Sequence, residues 1–362
     1  MKKPKAIFIS SHLPVPKIPV AGQKIAYSNL KLLCDKYDII LISFINEIEK
    51  KYFEDSLYKM CYATHFFDIT IKNRIKNILF HLDKPVRVSS RYIHEITSLI
   101  NTYLENTSID LFHAEYTASM SYVDLFLNTT LTEVVEHDIV YQSLERYCIN
   151  KKFPSKLMYC FEAKKQKKWE IAQLKKFNNI VVLNEKDKSL LEKEAISNIS
   201  VAFPKVEDWC YSVSRNSIEP YSILFLGAMN RFENQDAILW FVKNIFTNIQ
   251  TKYSNVKLYI VGGNPPDKIK NLACSNIEVT GFVDSLQIYF EKAHIAIVPL
   301  RYGAGIKIKT LETLAAKIPT IATTIGAEGI PQNKNLIIID NEELFGTQIN
   351  TIFEDFKQRN KK

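Results

Sequence analysis

Glycine is almost missing from the first half of this 362-residue chain: of ten glycines, only Gly22 comes before Gly227. Tight strand-to-helix turns, where glycine supplies unusual backbone angles, are therefore expected mainly in the second half. Cysteine is sparse and scattered, at Cys34, Cys61, Cys148, Cys160, Cys210 and Cys274, with no CxxC pair. That excludes a cysteine metal knuckle and argues for reduced thiols rather than a disulfide framework. The seven histidines lie far apart, without ligand spacing, so no metal centre is expected. No apolar run approaches the roughly 18 residues that a membrane-spanning helix requires. The opening MKKPKAIFISSHLP has an apolar core, AIFI, too short for a secretory leader, and reads as a first buried strand.

What is present is an ordinary globular composition, 46% hydrophobic and 24% charged, in a length that suits two domains. The net charge of +8 favours anionic partners such as nucleotides, phospholipid headgroups or nucleic acid. Nucleic acid is disfavoured because no recognition module is visible. Past residue 220, short apolar runs alternate with helical patterns: YSILFL, VKLYIV ending at Gly262, IEVT, HIAIVPL, IPTIATT and LIIID. Such alternation predicts a parallel sheet with helices on both faces. The first half repeats the pattern less cleanly through AIFIS, DIILISF, DLFHAEY, TEVVEH and NIVVLNE. The aperiodic stretch 203–220, with prolines at Pro204 and Pro220, marks the boundary. The expected domains are residues 1–205, a linker 206–220, a second domain 221–345 and a C-terminal helix 346–362. Two doubly wound domains place ligands at the carboxyl ends of their strands, in the cleft they face.

RYGAGIKIKTLE, residues 301–312, follows the strand-like IAIVPL. Gly303 and Gly305 let backbone approach a ligand, and a helix expected from about Ile306 offers free amides to a phosphate. Ile308, Leu311 and Ala315 are spaced as a core-facing stripe. Lys309 and Glu312 share another face, one for phosphate charge and one for ligand hydroxyls. The same pair also fits a solvated ion pair worth about 0.3 kcal/mol. Lys307 points elsewhere or toward an outer phosphate.

The run PLRYGAGIKIKTLETLAAKIPTIATTIGAEGI, with FLGAMNRFENQDAILWF, LYIVGG and VTGFVDSLQIYFEKAHIAIVPL before it, resembles the donor domain of retaining GT-B glycosyltransferases, family 4 in particular. The likeness is close over about 220–332 and looser in the first half, through SSHLPVPKIPVAGQKIAYSNL, LFHAEY, VEHDIVYQSLERY and NNIVVLNEKDKSLL. It implies an α/β fold of two Rossmann-like domains, the N-terminal one serving the acceptor and the C-terminal one a nucleotide-sugar donor. Glu312 matches the second glutamate of the family's Glu-x7-Glu pattern, which holds the donor ribose; the first falls on Ala304. Ala228 and Glu233 stand where the family often has arginine and lysine beside Gly227. Diphosphate binding then falls to Lys307, Lys309, the turn amides around Ile306, and Arg231. Gly22 matches a loop glycine that touches donor phosphates. His113 and Glu115 match a His-x-His segment whose second histidine is absent, and His137 stands where the family often has a histidine at the cleft; lone histidines at strand ends are equally compatible with structural roles. The resemblance further implies retention of configuration and no essential metal, which agrees with the lack of an Asp-x-Asp pair near the phosphate turn.

The segment Lys151–Lys176 holds nine lysines with Phe153, Tyr159, Phe161 and Trp169 among them. It reads either as a solvated helix or as a surface for anionic lipid. The resulting expectation is a cytoplasmic or membrane-peripheral glycosyltransferase of surface polysaccharide synthesis, taking a nucleotide sugar to a glycan or lipid-linked acceptor. A GT-B-like accessory subunit with a degraded site is the alternative. A nucleotide-sugar epimerase is disfavoured, because the carboxylates and histidines it needs around the sugar are not found.

Overall fold

The computed structural model describes residues 3–18, 20–126, 130–150 and 152–359. Lys151, the first lysine of the basic segment, and residues 360–362 lie outside the described residues. The chain divides into two units, Met1–Phe203 and Pro204–Lys362.

In the first unit the order is β1 (Lys5–Ser10), α1 (Ala21–Cys34), β2 (Asp38–Ile45), β3 (Ala63–Asp68), α2 (Ile71–Phe80), α3 (Val86–Ser89), α4 (His94–Asn106), β4 (Leu111–Glu115), β5 (Leu131–Glu136), α5 (Val140–Asn150), α6 (Ser155–Leu174), β6 (Asn179–Val182), α7 (Glu185–Glu192) and β7 (Ile199–Val201). The seven strands form one parallel sheet in the order β3-β2-β1-β4-β5-β6-β7. Central strands such as β1, KAIFIS, are apolar along nearly their whole length because helices cover both faces. In α1 the buried Gln23, Ala26, Leu30 and Cys34 recur at helical spacing and turn one face to the sheet.

The second unit contains α8 (Asp208–Tyr211), β8 (Ser222–Leu226), α9 (Phe232–Phe241), α10 (Thr247–Lys252), β9 (Lys257–Val261), α11 (Asp267–Lys270), β10 (Ile277–Gly281), α12 (Gln287–Lys292), β11 (Ile295–Val298), α13 (Ile308–Ala315), β12 (Thr320–Ala322), β13 (Leu336–Ile338) and α14 (Glu342–Arg359). A π-helical turn, Val242–Phe246, joins α9 to α10. Its six strands are again parallel, ordered β10-β9-β8-β11-β12-β13. Both sheets are thus doubly wound, which is the α/β architecture expected.

Residues within 206–220 pack in the second unit: Trp209 meets Phe290 edge-on at 5.0 Å and Cys210 is buried. The last helix begins at Glu342, ahead of residue 346, because Glu342 and Glu343 place negative charge on its first turn. Its Phe345, Ile349 and Phe353 are completely buried in the second unit's core.

The cysteine expectation requires correction. Cys148 of α5 and Cys160 of α6 are joined by a disulfide, with Cα atoms 4.8 Å apart. The two helices lie against each other, a tertiary fact that a separation of 12 residues does not announce. Cys34, Cys61, Cys210 and Cys274 are free.

Candidate functional site

Two clusters hold the residues that the sequence singles out, one in each unit. In the second unit the turn after β11 does what its glycines imply. Gly303 and Gly305 have φ of 113° and 72°, a left-handed region that other residues enter only at a cost. The helix α13 begins at Ile308 rather than Ile306, with Lys307 extended at its N-cap. Lys307 does not reach outward. It is buried, and its Nζ donates to the Ala304 and Gly305 carbonyls at 2.7 and 2.5 Å, with Glu328 at 3.8 Å. It therefore braces the loop from beneath. Ile306 stays in the loop, half-buried.

The rotation of α13 differs from the expected stripe. Its buried residues are Thr310, Thr313 and Leu314, whereas Ile308, Leu311 and Ala315 remain half-exposed. Hydroxyl bonding decides this: Thr310 Oγ1 donates to the Gly326 carbonyl at 2.8 Å, and Thr320 Oγ1 to Thr313 Oγ1 at 3.0 Å. Buried hydroxyls with partners cost little, so a threonine face can serve as a core face.

Lys309 comes off the neighbouring side. Its ammonium donates to Asn234 Oδ1 at 2.7 Å and lies 4.8 Å from the centre of the Phe225 ring. Burial, then Arg231 and Lys307, lower its pKa to about 7 from the ordinary 10.5, with Glu312 and Glu233 opposing. Burial outweighs the two carboxylates here, so an added anion would favour the charged form. Asn234 is the residue the sequence reading missed. Its amide also donates to the Ala228 carbonyl at 2.9 Å, tying the turn after β8 to the turn after β11. The signal was present in FLGAMNRFENQD, but only a three-dimensional partner distinguishes that asparagine from its neighbours. Gly227 lies against Asn234, where a Cβ would come within 2.7 Å of the amide. Arg231, at the N-cap of α9, is exposed and 3.7 Å from Glu233. Gly227, Arg231, Gly303, Gly305, Lys307, Lys309 and Glu312 thus belong to the carboxyl ends of β8 and β11 and the helices that follow.

In the first unit, His113 and Glu115 stand on β4 and His137 just beyond β5. His113 is 2% exposed and stacks on Phe8, with Nε2 3.0 Å from Glu115 and Nδ1 3.0 Å from Glu133. Burial opposes its charge, but the two carboxylates prevail and raise its pKa to about 9. Against the same burial penalty, His113 and His137 hold Glu115 down at about 2. Both ring nitrogens of His113 are occupied, so it positions Glu115 rather than meeting substrate. Glu115 passes that order on: its Oε2 lies 2.5 Å from His137 Nε2, and Asn29 donates to its Oε1 at 2.7 Å. The result is a chain, Glu133–His113–Glu115–His137. At its end, His137 Nδ1 is buried without a partner among the described residues, as is the hydroxyl of Tyr116 stacked on its ring. Both face Gly22 in the first turn of α1, where a Cβ would sit 3.2 Å from Nδ1 and 3.1 Å from the hydroxyl. Gly22, Glu115 and His137 are brought together. Glu133, Asn29 and Tyr116 were missed, because strand pairing and stacking, not spacing, assemble them.

The basic segment 151–176 contains the whole of α6, with Phe153 just ahead of the helix and Leu157 and Phe161 on it exposed. Nearby α2, IKNRIKNILF, has no buried residue and exposes Ile71, Ile75, Leu79 and Phe80 between Lys72, Arg74 and Lys76. Just beyond α2, the Val86 amide donates to Glu162, and Lys165 donates to the Leu82 carbonyl, so these segments lie side by side. Among the described residues no helix is long and apolar enough to cross a membrane, and no cluster of His, Cys, Asp or Glu has the form of a metal site.

Residues 220–355 match the family model of the glycosyl transferases group 1. That match lies within the second unit. Across nearly the whole chain, the fold is that of sucrose-phosphate synthase from Thermosynechococcus elongatus, with TM-score 0.66 at 14% identity, covering 97% of this chain and 90% of that one. WaaG, a glycosyltransferase involved in lipopolysaccharide biosynthesis, superposes with TM-score 0.66 at 14% identity over 96% and 90% of the two chains. Anabaena HepE, solved in complex with UDP, gives 0.64 at 11% identity over 97% and 90%. Such neighbours are GT-B glycosyltransferases, and the fold of this chain is theirs. A protein of the cps region of Klebsiella pneumoniae, itself described as uncharacterized, is 25% identical over 369 residues, 95% of this chain and 90% of that one.

Proposed function

We propose that this glycosyltransferase receives the diphosphate of a nucleotide sugar at the Gly303–Lys309 turn. It then moves the sugar, with retention, to a glycan or lipid-linked acceptor in surface polysaccharide synthesis. The observation that carries the reading is Lys309, a half-buried ammonium at the carboxyl end of the sheet, discharged by burial and set beside a glycine turn and a helix start. WaaG's lipopolysaccharide role and the cps setting of the Klebsiella relative support the pathway class. HepE's UDP supports a nucleotide at the donor end.

In the transfer, the bond between the anomeric carbon and the phosphate oxygen breaks, and its electron pair leaves with the diphosphate. Lys309, Arg231 and the turn amides stabilise that charge, and no metal is needed for the step in this reading. The acceptor oxygen bonds the anomeric carbon from the same face, and its proton passes to a phosphate oxygen. Glu312, an electrostatic neighbour of Lys309, is placed for donor hydroxyls. His137, held by Glu115, offers Nδ1 to the sugar. The exposed apolar and basic faces of α2 and α6 are proposed to rest on anionic lipid, where a lipid-linked acceptor resides.

Titration with UDP, GDP and ADP tests the donor site. One nucleotide is expected to bind. The anion selects protonated Lys309, so affinity is expected to rise as pH falls through about 7. Lys309→Met should weaken that nucleotide about 10- to 100-fold, the worth of a charged hydrogen bond, and flatten the pH dependence. Unchanged affinity in the variant would refute the site.

A further inference from the structure

Beside the stacked Tyr116 and His137 lies a cation that no carboxylate hydrogen-bonds among the described residues. Arg91, between α3 and α4, has its Nε buried with no partner among the described residues. Among the described residues its polar side-chain contact is at 3.5 Å, from Nη2 to His12 Nε2. Burial first, then Arg74, pulls its pKa down to about 10 from 12.5, with Glu49 opposing. The acid nearby is Glu49, but it is engaged elsewhere. Its Oε1 takes Gln23 Nε2 at 2.9 Å and His12 Nδ1 at 3.1 Å, and its Oε2 takes the Asn46 amide at 2.9 Å. With Nδ1 turned to Glu49, His12 leaves Nε2 toward the guanidinium.

His12 also meets Tyr116 edge-on, with ring centres 5.1 Å apart, and Tyr116 stacks on His137 at 4.0 Å. So the guanidinium, the unpartnered Tyr116 hydroxyl and the unpartnered His137 Nδ1 gather around the first turn of α1. That 14-residue helix has no side-chain cap. The His137 side chain is only 8% exposed, yet its free nitrogen is turned to this turn. A buried guanidinium whose nearby carboxylate, Glu49, is hydrogen-bonded elsewhere is costly, and a helix start favours negative charge. Tyr116 holds φ at 69°, an uncommon setting for a non-glycine residue, which directs its ring into the cluster.

We propose that Arg91, His12 and Tyr116, at the first turn of α1, form a binding site for an anionic group of the acceptor, a carboxylate or a phosphate. All three residues belong to the first unit. The proposal rests on the reading of the chain as a transferase whose donor binds at Lys309. Arg91 supplies a planar fork suited to either anion, and the Tyr116 hydroxyl supplies a further donor. An acceptor bearing an acidic sugar or a phosphate would be favoured over a neutral one.

The test uses the full chain saturated with the nucleotide it binds, titrated calorimetrically with inorganic phosphate and, separately, with glucuronate. Saturable binding of at least one probe is expected. Arg91→Met should weaken it about 10-fold or more while leaving nucleotide affinity unchanged, and Lys309→Met should do the reverse. Arg91→Met should also melt no lower than the wild type without ligand, since it removes a buried charge that no carboxylate hydrogen-bonds. Arg91→Lys, which keeps the charge but loses the fork, should show an intermediate loss and serves if the methionine variant does not fold. The proposal is overturned if neither probe binds, if both Arg91 variants bind as the wild type does, or if they weaken the nucleotide as much as the probes. The last result would assign Arg91 to the donor's phosphates. Loss of nucleotide binding in every form, with Arg91-dependent probe binding kept, would instead remove the donor reading and leave the anion site standing.

Discussion

At the scale of single residues, the consequential finding is how charge is shared along Glu133–His113–Glu115–His137. His113 is a buried cation between two buried or half-buried carboxylates. Its pKa is raised, so its contribution to stability is full below the ordinary value of 6.5 and is lost as pH climbs through about 9. That of Glu115 is full above 4.5 and is lost as pH falls through about 2. His113→Gln should cost about 3–5 kcal/mol in denaturant unfolding at neutral pH, because two carboxylates are left facing each other. A loss of transfer with no loss of stability would instead give His113 a direct part in catalysis. Sequence could place His113, Glu115 and His137 at strand ends. It could not tell which histidine keeps a free nitrogen, because Glu133 arrives from the neighbouring strand in register with His113.

At the scale of elements, the turns were more legible than the helix rotations. Glycine, strand end and helix start in RYGAGIKIKTLE identified the loop, and Gly303 and Gly305 need the angles only glycine adopts freely. The apolar stripe Ile308, Leu311 and Ala315 does not mark the buried face of α13, because threonine hydroxyls close on Gly326 and Thr320 inside the core. The turn at Gly262 shows how tightly adjacent loops are set. It has φ of 154°, and a Cβ there would stand 1.7 Å from the Gly227 carbonyl oxygen. Gly262→Ala should therefore push the turn after β8 out of place. The expected cost is about 1–3 kcal/mol in unfolding, together with a weaker nucleotide. A variant with wild-type melting and affinity would mean that the two loops yield easily.

At the scale of the whole molecule, the alternation of apolar runs and helices revealed two doubly wound sheets, because parallel strands buried on both faces write themselves as short continuous apolar blocks. The apolar faces of α2 and α6 were less legible. Exposure depends on what packs above a helix, and IKNRIKNILF reads equally well as a covered helix. Vesicles of phosphatidylglycerol are expected to sediment the chain and neutral phosphatidylcholine vesicles to leave it in the supernatant, with added salt weakening the association. Replacing Ile75, Leu79, Leu157 and Phe161 with serine should abolish it without lowering the melting temperature, since these side chains are exposed. Equal sedimentation of that variant would remove the lipid reading. The sheet orders carry a different implication, for the birth of the chain. β1, the first strand of its sheet in chain order, is an inner one, flanked by β2 and β4, and Ser10 finds its second neighbour only at Glu115. Until the ribosome has released that far segment, one edge of β1 stands bare, so the nascent N-terminal half must be shielded from other chains for most of its translation.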